Sequence, residues 1–302
     1  VKMDNIIINN SENNKRIDLY LIDKIDMSRS KIQDKLKKGE ILVNEKQVKS
    51  SYILKENDVI SFNIEEKIDT DIEPENIPLD IVYEDNDVIV VNKKNGMVVH
   101  PAPGNNHGTL VNALLYHSKN LSKVNGEFRP GIVHRIDAYT TGLLMVAKND
   151  RAHEILAKQL EEKTTTRKYV ALVWGVIEHD TGTIDAPIGR DEKDRKKMAV
   201  TSLNSKKAIT HFRVLERYKN ASLIELQLET GRTHQIRVHM NYIGYPVVND
   251  PVYGRRKLIN NDGQCLHAKT LGFVHPTTGK YMEFTSELPD KFINILNIIK
   301  EG

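Results

Sequence analysis

One carboxylate in the chain stands where its neighbours could make it reactive. In PGIVHRIDAYTTGLLMVAK, Pro130 to Lys148, Asp137 follows a His134-Arg135 pair and precedes a Thr140-Thr141-Gly142 turn and the apolar run Leu143 to Ala147. An apolar run bounded by a glycine turn reads as a buried strand, so Asp137 is expected at the mouth of that strand, beside the fixed charge of Arg135. A carboxylate held there can attack an electrophilic carbon or stabilise a developing cation. Desolvation under a bound ligand would drive such a group toward its neutral form, so the chemistry needs a second cation close by. Two other stretches offer polar groups of the right kinds: GRTHQIRVH, Gly231 to His239, and RKYVALVWG, Arg167 to Gly175. In the first, His234 and Arg237 fall three apart on one face of a helix beginning near His234, with Thr233 as its cap. In the second, Tyr169 opens a strand, where an aromatic ring can keep one face toward a ligand.

Other chemistries lack their residues. There is no Gly-rich phosphate loop with its lysine, no CxxC and no HExxH, so neither a nucleotide cofactor nor a metal is expected. His100, His107 and His117 are too irregularly spaced for ligands and read as surface or packing residues. The single cysteine, Cys265, excludes an intrachain disulfide and reads as a small buried hydrophobe. No apolar run approaches a membrane span, and VKMDNIIINNSENN lacks the layout of a signal peptide, so a soluble cytoplasmic protein is expected, with Met3 a possible native start.

The net charge of +3 conceals an uneven distribution. Residues 1–61 hold 12 basic and 10 acidic side chains, residues 62–87 hold one against 10, and the remainder 31 against 21. A basic body joined through an acidic connector to a mildly basic head fits a polyanionic partner, because surface Lys and Arg gain affinity by releasing phosphate counterions. Gly189 to Lys219, with ten basic residues against four acids, reads as a basic loop and strand facing that partner.

Three regions must position these groups. Residues 15–63 read as a small unit in which a short helix pair is followed by two strands. Ser28 or Ser30 caps its second helix, Ile32 and Leu36 form the apolar face, and Gly39 ends it. Residues 64–78, acidic and with two prolines, read as a flexible or extended linker. From residue 79 to 302 the pattern is one of short strands and amphipathic helices. Two strands flank Glu84 to Asp87, a helix starts in GTLVNALLYH, and Asn149-Asp150 caps a helix over Arg151 to Glu162. SLIELQLETGR alternates as a half-buried strand that delivers Gly231; CLHAKTLGFVHPTTGKYMEF reads as strand, turn and strand, and LPDKFINILNIIK as a C-terminal amphipathic helix.

Taken together, the stretches around Asp137, Tyr169 and Arg237 resemble the RluA family of RNA pseudouridine synthases, and more closely its RluD-like branch acting on large-subunit ribosomal RNA. The first looks like that family's HR-[LI]-D-x-x-[ST]-[ST]-G signature. The resemblance implies a mixed α/β (α+β) fold with a largely antiparallel central sheet, and a cofactor-free conversion of uridine to pseudouridine. It makes Asp137 the catalytic residue, Arg237 its ion-pair partner with Arg232 as fallback, and Tyr169 the stacking platform whose hydroxyl could take a ribose proton. By the same resemblance Arg135 acts in base flipping, Leu266 of the LHA segment lines the uracil pocket, and His134 and Arg232 join the RNA-binding set. One departure stands out: the family commonly places a lysine and an acid directly after the aspartate, and here Ala138-Tyr139 stand there. That puts loop geometry, rate or RNA preference in question.

Residues 15–63 are similar to the RNA-binding module named after the small-subunit ribosomal protein S-four, through Arg16-x-Asp, Ser28-Arg-Ser, Gly39-x-x-x-Val-Asn44 and Asn57-Asp58. Arg29, Lys31 and Lys35 are then expected to grip structured RNA through its phosphates. The whole reads as a monomeric enzyme acting on ribosomal RNA or a pre-ribosomal particle. A non-catalytic rRNA-binding or assembly factor on the same fold is the alternative, and a carboxylate-dependent nucleoside hydrolase, for which no second acid is identifiable, ranks last.

Overall fold

A computed structural model describes residues 4–301 apart from 11, 26–28, 63–71, 102–105, 127–128 and 195. The chain divides into two compact units, residues 1–70 and 71–302.

The small unit contains β1 (Asp4–Ile7), α1 (Ile17–Tyr20) with a further tight turn over Leu21–Asp23, α2 (Arg29–Lys38), β2 (Ile41–Val43), β3 (Lys46–Gln47) and β4 (Val59–Phe62). The strands form an antiparallel sheet ordered β1-β4-β2-β3. Ile32 and Leu36, four apart on α2, are fully buried with Ile17, Leu21, Ile41, Leu54 and Ile60. Gly39 follows α2 at φ +72°, the left-handed conformation that stops a helix at little cost to glycine. Ser30 falls inside α2 and Ser28 lies outside the described residues, so the expected serine cap is not among the contacts seen. Four strands form where two were expected. The first precedes Lys15 and was hidden by its polar flanks: Ile8 is buried while Ile7 between it and Ile6 is 65% exposed, a two-residue alternation too short to read.

The larger unit is built on a nine-stranded sheet comprising β5 (Asp80–Glu84), β6 (Val88–Lys93), β7 (Thr141–Ala147), β8 (Thr166–Trp174), β9 (Thr181–Asp185), β12 (Ile209–Arg217), β13 (Ala221–Leu228), β14 (Leu266–Val274) and β15 (Tyr281–Thr285). A separate ribbon pairs β10 (Ile188–Arg190) with β11 (Met198–Val200). The long path runs β5-β6-β7-β14-β8-β13-β12-β9, and among the described strands β7 against β14 is the parallel pair. One edge of β14 is shared: β7 takes His267 and Ala268, and β15 takes Thr270 to Val274. The fold is thus mixed α/β with a mostly antiparallel sheet.

Helices cover both faces, which is why the central strands read as continuous apolar runs. On one face Leu144, Val146, Tyr169, Ala171 and Leu226 pack with residues of α3 (Leu110–His117) and α5 (Gln235–Tyr242). On the other, Val90, Leu143 and Met145 pack with α4 (Asp150–Glu161), and Val170 and Leu172 with α6 (Asp290–Glu301). Asn149 caps α4 by accepting from the Ala152 N–H, and Thr109 caps α3 through a capping box with Asn112. The part of the acidic connector that is described is tied down rather than loose. Ile72 and Ile77 pack on the core, the Glu73 carbonyl accepts from Asn112, and the Glu75 carboxylate accepts from the Gly108 N–H. Charge and proline content hid this, because two isoleucines were enough to dock it.

Candidate active site

The Asp137 turn is fixed from below by backbone contacts. Its carbonyl accepts from the Thr140 N–H at 3.0 Å, and Gly142 takes φ +111° where β7 meets β14. A Cβ at Gly142 would lie 2.3 Å from the Ala268 carbonyl oxygen, so only glycine lets the two strands approach there. Two ammonium groups, one buried on Lys93 and one half-buried on Lys291, hold the next two residues. Lys93 Nζ donates to the Ala138 and Met97 carbonyls, each at 2.8 Å, and Lys291 Nζ donates to the Tyr139 carbonyl at 2.6 Å. Burial pushes the Lys93 ammonium down to about 7 and that of Lys291 down to about 8. Ala138 and Tyr139 thus contribute carbonyls, and those are anchored without charges of their own.

From above, Asp137 meets Arg237 of α5. Arg237 Nη1 donates to Asp137 Oδ2 at 2.8 Å, while its Nε and Nη2 donate to Asp250 Oδ2 and Oδ1 at 2.7 and 2.9 Å. Asp250, whose side chain is wholly buried, also accepts from the Val252 and Tyr253 N–H groups. Burial alone would raise its carboxyl, but Arg237 and these N–H groups outweigh that and hold it below the usual carboxylate range. Arg237 is therefore locked by one carboxylate and presents a single N–H to another. Asp137 Oδ1 accepts no hydrogen bond among the described residues; His234 Nε2 stands 3.9 Å from it. The His234 ring is set by its Nδ1 contact with the Tyr253 hydroxyl at 2.8 Å, and burial pushes its pKa down.

This carboxylate opens into a cleft of about 530 Å³ whose lining includes Tyr169, Leu266, Arg135, Arg232, His134, His100, Arg129 and Arg167. That volume suits one nucleotide-sized group rather than a duplex. Tyr169 is 7% exposed and burial pushes its phenol up, so the ring enters any reaction as a neutral hydroxyl. Arg135 Nη2 donates to Thr233 Oγ1 across the cleft at 3.1 Å, and Arg232 Nε to the Lys207 carbonyl at 3.0 Å. An acid in a cationic cleft, backed by an apolar floor and a tyrosine, can receive an uncharged base while its flanking cations take phosphate.

Comparison with known proteins agrees with this chemistry. Residues 87–242 match the RNA pseudouridylate synthase family. The chain belongs to the RNA pseudouridine synthases. It is 55% identical to a Bacillus subtilis protein named as an uncharacterized RNA pseudouridine synthase, YlyB, over 99% of this chain and 100% of that one. It is 52% identical to the ribosomal large subunit pseudouridine synthase D of Zymomonas mobilis, over 72% of this chain and 71% of the relative. Among solved structures, human RNA pseudouridylate synthase domain containing 1 is 30% identical with a TM-score of 0.59, covering 74% of this chain and 87% of its own. The chain is therefore an enzyme that isomerises uridine in RNA, and the expected fold is the one observed.

Against that family reading, the structure gathers Asp137, Tyr169, Arg237, Arg135, His134, Arg232 and Leu266 into one cleft. Several expectations change. The fallback arginine, Arg232, makes its contact with Lys207 and not with Asp137. His134 is a strand pin: its Nε2 accepts from the Met145 N–H, and burial pushes its pKa down to about 3, so it cannot serve as a phosphate-binding cation. Thr233 does not cap α5. His234 occupies the cap in the left-handed conformation, φ 56°, and the Gln235 side chain accepts from the Arg232 N–H instead. In the small unit Arg29 is drawn onto the buried Asp18 and Lys35 onto Glu40, ion pairs that occupy both cations; the Lys31 side chain lies outside the described residues.

Asp250, Lys93 and Lys291 were missed altogether. The signal available was a lysine inside the apolar strand DVIVVNKK and an acid within the apolar stretch YPVVNDPVY, each out of keeping with its surroundings. Asp85, Asp87 and His275 gather within ligand distance of one another. However, His275 Nδ1 accepts from the Thr277 and Thr278 N–H groups, so its Nε2 carries the proton and donates to Asp85 at 2.7 Å. This trio pins a turn to a strand and offers no free nitrogen to a metal. No helix among the described residues is long and apolar enough to cross a membrane.

Proposed function

We propose that this enzyme modifies uridines of large-subunit ribosomal RNA, with Asp137 as its catalytic carboxylate and Arg237 as the residue that positions it. The observation that carries the reading is the Asp137–Arg237–Asp250 chain: a carboxylate held from one side, with its second oxygen open to the cleft. In the reaction the bond from ribose C1′ to base N1 breaks, the base turns over, and C1′ joins C5; C5 loses a proton and N1 gains one. Asp137 meets the cation that develops at C1′ or attacks that carbon directly. Arg237 keeps it ionised as the base displaces water.

The uridine must first leave its stack, at a cost of a few kcal/mol. Stacking on an aromatic ring returns about 1–3 kcal/mol, and Tyr169 is the ring so placed. Arg135, at the exposed rim, fills the gap left in the RNA. Leu266 supplies the apolar floor beneath the base, and Arg232 a backbone contact. Relatives named as ribosomal large subunit pseudouridine synthase D, in Zymomonas mobilis and in Neisseria meningitidis at 44% identity, support the choice of ribosomal RNA. Residues 1–70 act as an RNA-binding head of the S-four type, using surface charge and shape rather than Arg29 or Lys35 alone. We place the protein in the cytoplasm, working as a single chain.

The test is to map pseudouridine on ribosomal RNA from cells lacking the protein, then complemented with wild type or Asp137→Ala. Sites that vanish and return with wild type alone establish substrate and carboxylate together. Sites restored equally by Asp137→Ala would leave the chain a binding factor.

A further inference from the structure

Two cations of the cleft take no part in the reaction proposed above, Arg129 on its exposed surface and Arg167, which is buried. Arg167 lies on β8 two residues before Tyr169, so both side chains leave the same face of the strand. It lines the cleft, yet only 7% of it is exposed. Its buried Nε has no hydrogen-bond partner, and its guanidinium makes no ion pair or hydrogen bond among the described residues. The neighbouring cations are engaged: Lys163 with Glu229 at 2.7 Å, Arg135 with Thr233, Arg237 with two aspartates. Glu229, the nearest acid along the chain from Gly231, is paired with Lys163 and hydrogen-bonded to His211.

A guanidinium this buried and without a counter-charge is costly to the free protein, because its charge is largely withdrawn from water and its Nε has neither water nor an acceptor. The surrounding backbone is nonetheless shaped to admit it. A Cβ built at Gly231 would lie 3.0 Å from Arg167 Nη1, so the absence of a side chain there leaves room for the guanidinium at the end of β13. The missing partner must therefore arrive with the substrate. It should be anionic, and RNA carries one such group per nucleotide, the phosphodiester, whose paired oxygens fit the guanidinium fork. A uracil carbonyl is a weaker acceptor and would leave the charge unmatched.

We propose that Arg167 is the receptor for a phosphodiester flanking the extruded uridine, so that the cleft recognises the nucleotide at two points, its base on Tyr169 and its backbone on Arg167. This rests on the reading that the cleft takes RNA. Engagement of the phosphate sets the ribose over Asp137.

The test uses the full-length enzyme and the shortest RNA it modifies, with a neutral methylphosphonate replacing the linkage on either side of the target uridine. Binding is read by fluorescence anisotropy and turnover by pseudouridine formation. For wild type, one of the two replacements should lower affinity and kcat/KM by about 10- to 100-fold. Arg167→Met should show that loss on native RNA and be indifferent to the same replacement; Arg167→Lys should recover part of it. Without RNA, Arg167→Met should melt at an equal or higher temperature than wild type, since it removes an unpaired buried charge. Arg167→Met with wild-type affinity, or with undiminished sensitivity to the neutral linkages, overturns the assignment. A lower melting temperature together with uniform loss on every RNA does so as well, by making Arg167 structural. If wild type binds but converts no uridine, the catalytic reading fails separately, and the linkage-specific anisotropy still decides the role of Arg167.

Discussion

Each unit of the molecule buries an aspartate among guanidinium groups, and the two clusters close differently. In the small unit Asp18, with no exposed side-chain surface, accepts from Arg16, Arg29 and Gln33 at 2.8–3.1 Å, and the cluster is complete. In the larger unit Asp250 is equally buried, but the arginine it holds has an N–H left over, and that N–H reaches a second carboxylate that remains 24% exposed. The first arrangement saturates its acceptor and stabilises a fold. The second leaves an oxygen of Asp137 open, which is what a reacting group requires. Counting unmet valences, rather than charges, separates the closed cluster from the one proposed to be catalytic.

The largest effect expected is from Asp137→Asn. It removes the reacting oxygen anion while Asp250 still locks Arg237, so pseudouridine formation should fall below detection with stability changed by no more than about 1 kcal/mol. Turnover and a denaturant melt on the same preparation check both halves. Asp250→Asn should cost stability too. Arg237 would lose its buried counter-charge, at about 3–5 kcal/mol, and Asp137 would drift with it, lowering kcat on the order of 100-fold. If Asp250→Asn left kcat intact, Arg237 would not be the element that positions Asp137.

The residues proposed to act on the uridine were legible because chemistry constrains short words of sequence: an Asp after His-Arg, a Tyr in RKYVALVWG, an Arg in QIR, although Tyr169 is the fourth residue of β8 and does not open that strand as expected. The residues that hold them were not. Asp250 lies thirteen positions beyond Arg237, past the end of α5, and Lys291 reaches the Tyr139 carbonyl across 152 residues. Contacts of that span leave no periodic trace. Periodicity likewise located most strands and helices of the larger unit, since an amphipathic pattern survives for eight or more residues. It failed on β1 and on Ile72 to Ile77, where a few isoleucines among polar neighbours decide the packing. The ion pair of Arg29 was hidden for a related reason: a lone cation in a basic stretch gives no sign of its buried acid eleven residues away.

Breaking the closed cluster should have a different signature. Asp18→Ala leaves Arg16, Arg29 and Gln33 without their shared acceptor, and residues 1–70 should lose about 3 kcal/mol of stability, near the lower end for a disrupted buried pair. Turnover on a short RNA should be unaffected, because Asp137, Tyr169 and Arg237, the residues proposed to act on the uridine, all belong to the larger unit. Amide hydrogen exchange resolved along the chain would show protection lost across β1, β2 and β4 and retained in β7 and β8. Equal loss in both units would mean that the small unit's cluster supports the larger one.

Acid sharpens the contrast most finely, because the eleven histidines all lie in residues 71–302 and none in 1–70. His267 is buried between Thr141 Oγ1 and Ser286 Oγ, each at 2.8 Å, and burial pushes it down to about 4. An unfolded histidine takes its proton near 6.5, so below that value the unfolded chain binds a proton that the native chain refuses. The stability His267 contributes is whole above pH 6.5 and drains away as pH falls toward 4. Asp18 works in a lower window. Burial would raise its carboxyl, but Arg16, Gln33 and Arg29 hold it at about 2, so its contribution is intact at pH 5 and is lost only below about 3.8. At pH 5 the larger unit should therefore be weakened while the small one is not. The single tryptophan, Trp174 in β8, reports on the larger unit alone. Denaturant melts followed by its fluorescence should shift downward between pH 7 and 5, and His267→Gln should flatten that shift by about 1–3 kcal/mol. A Trp174 midpoint that stays constant over this interval would show that the buried histidines are not what makes the catalytic unit acid-sensitive.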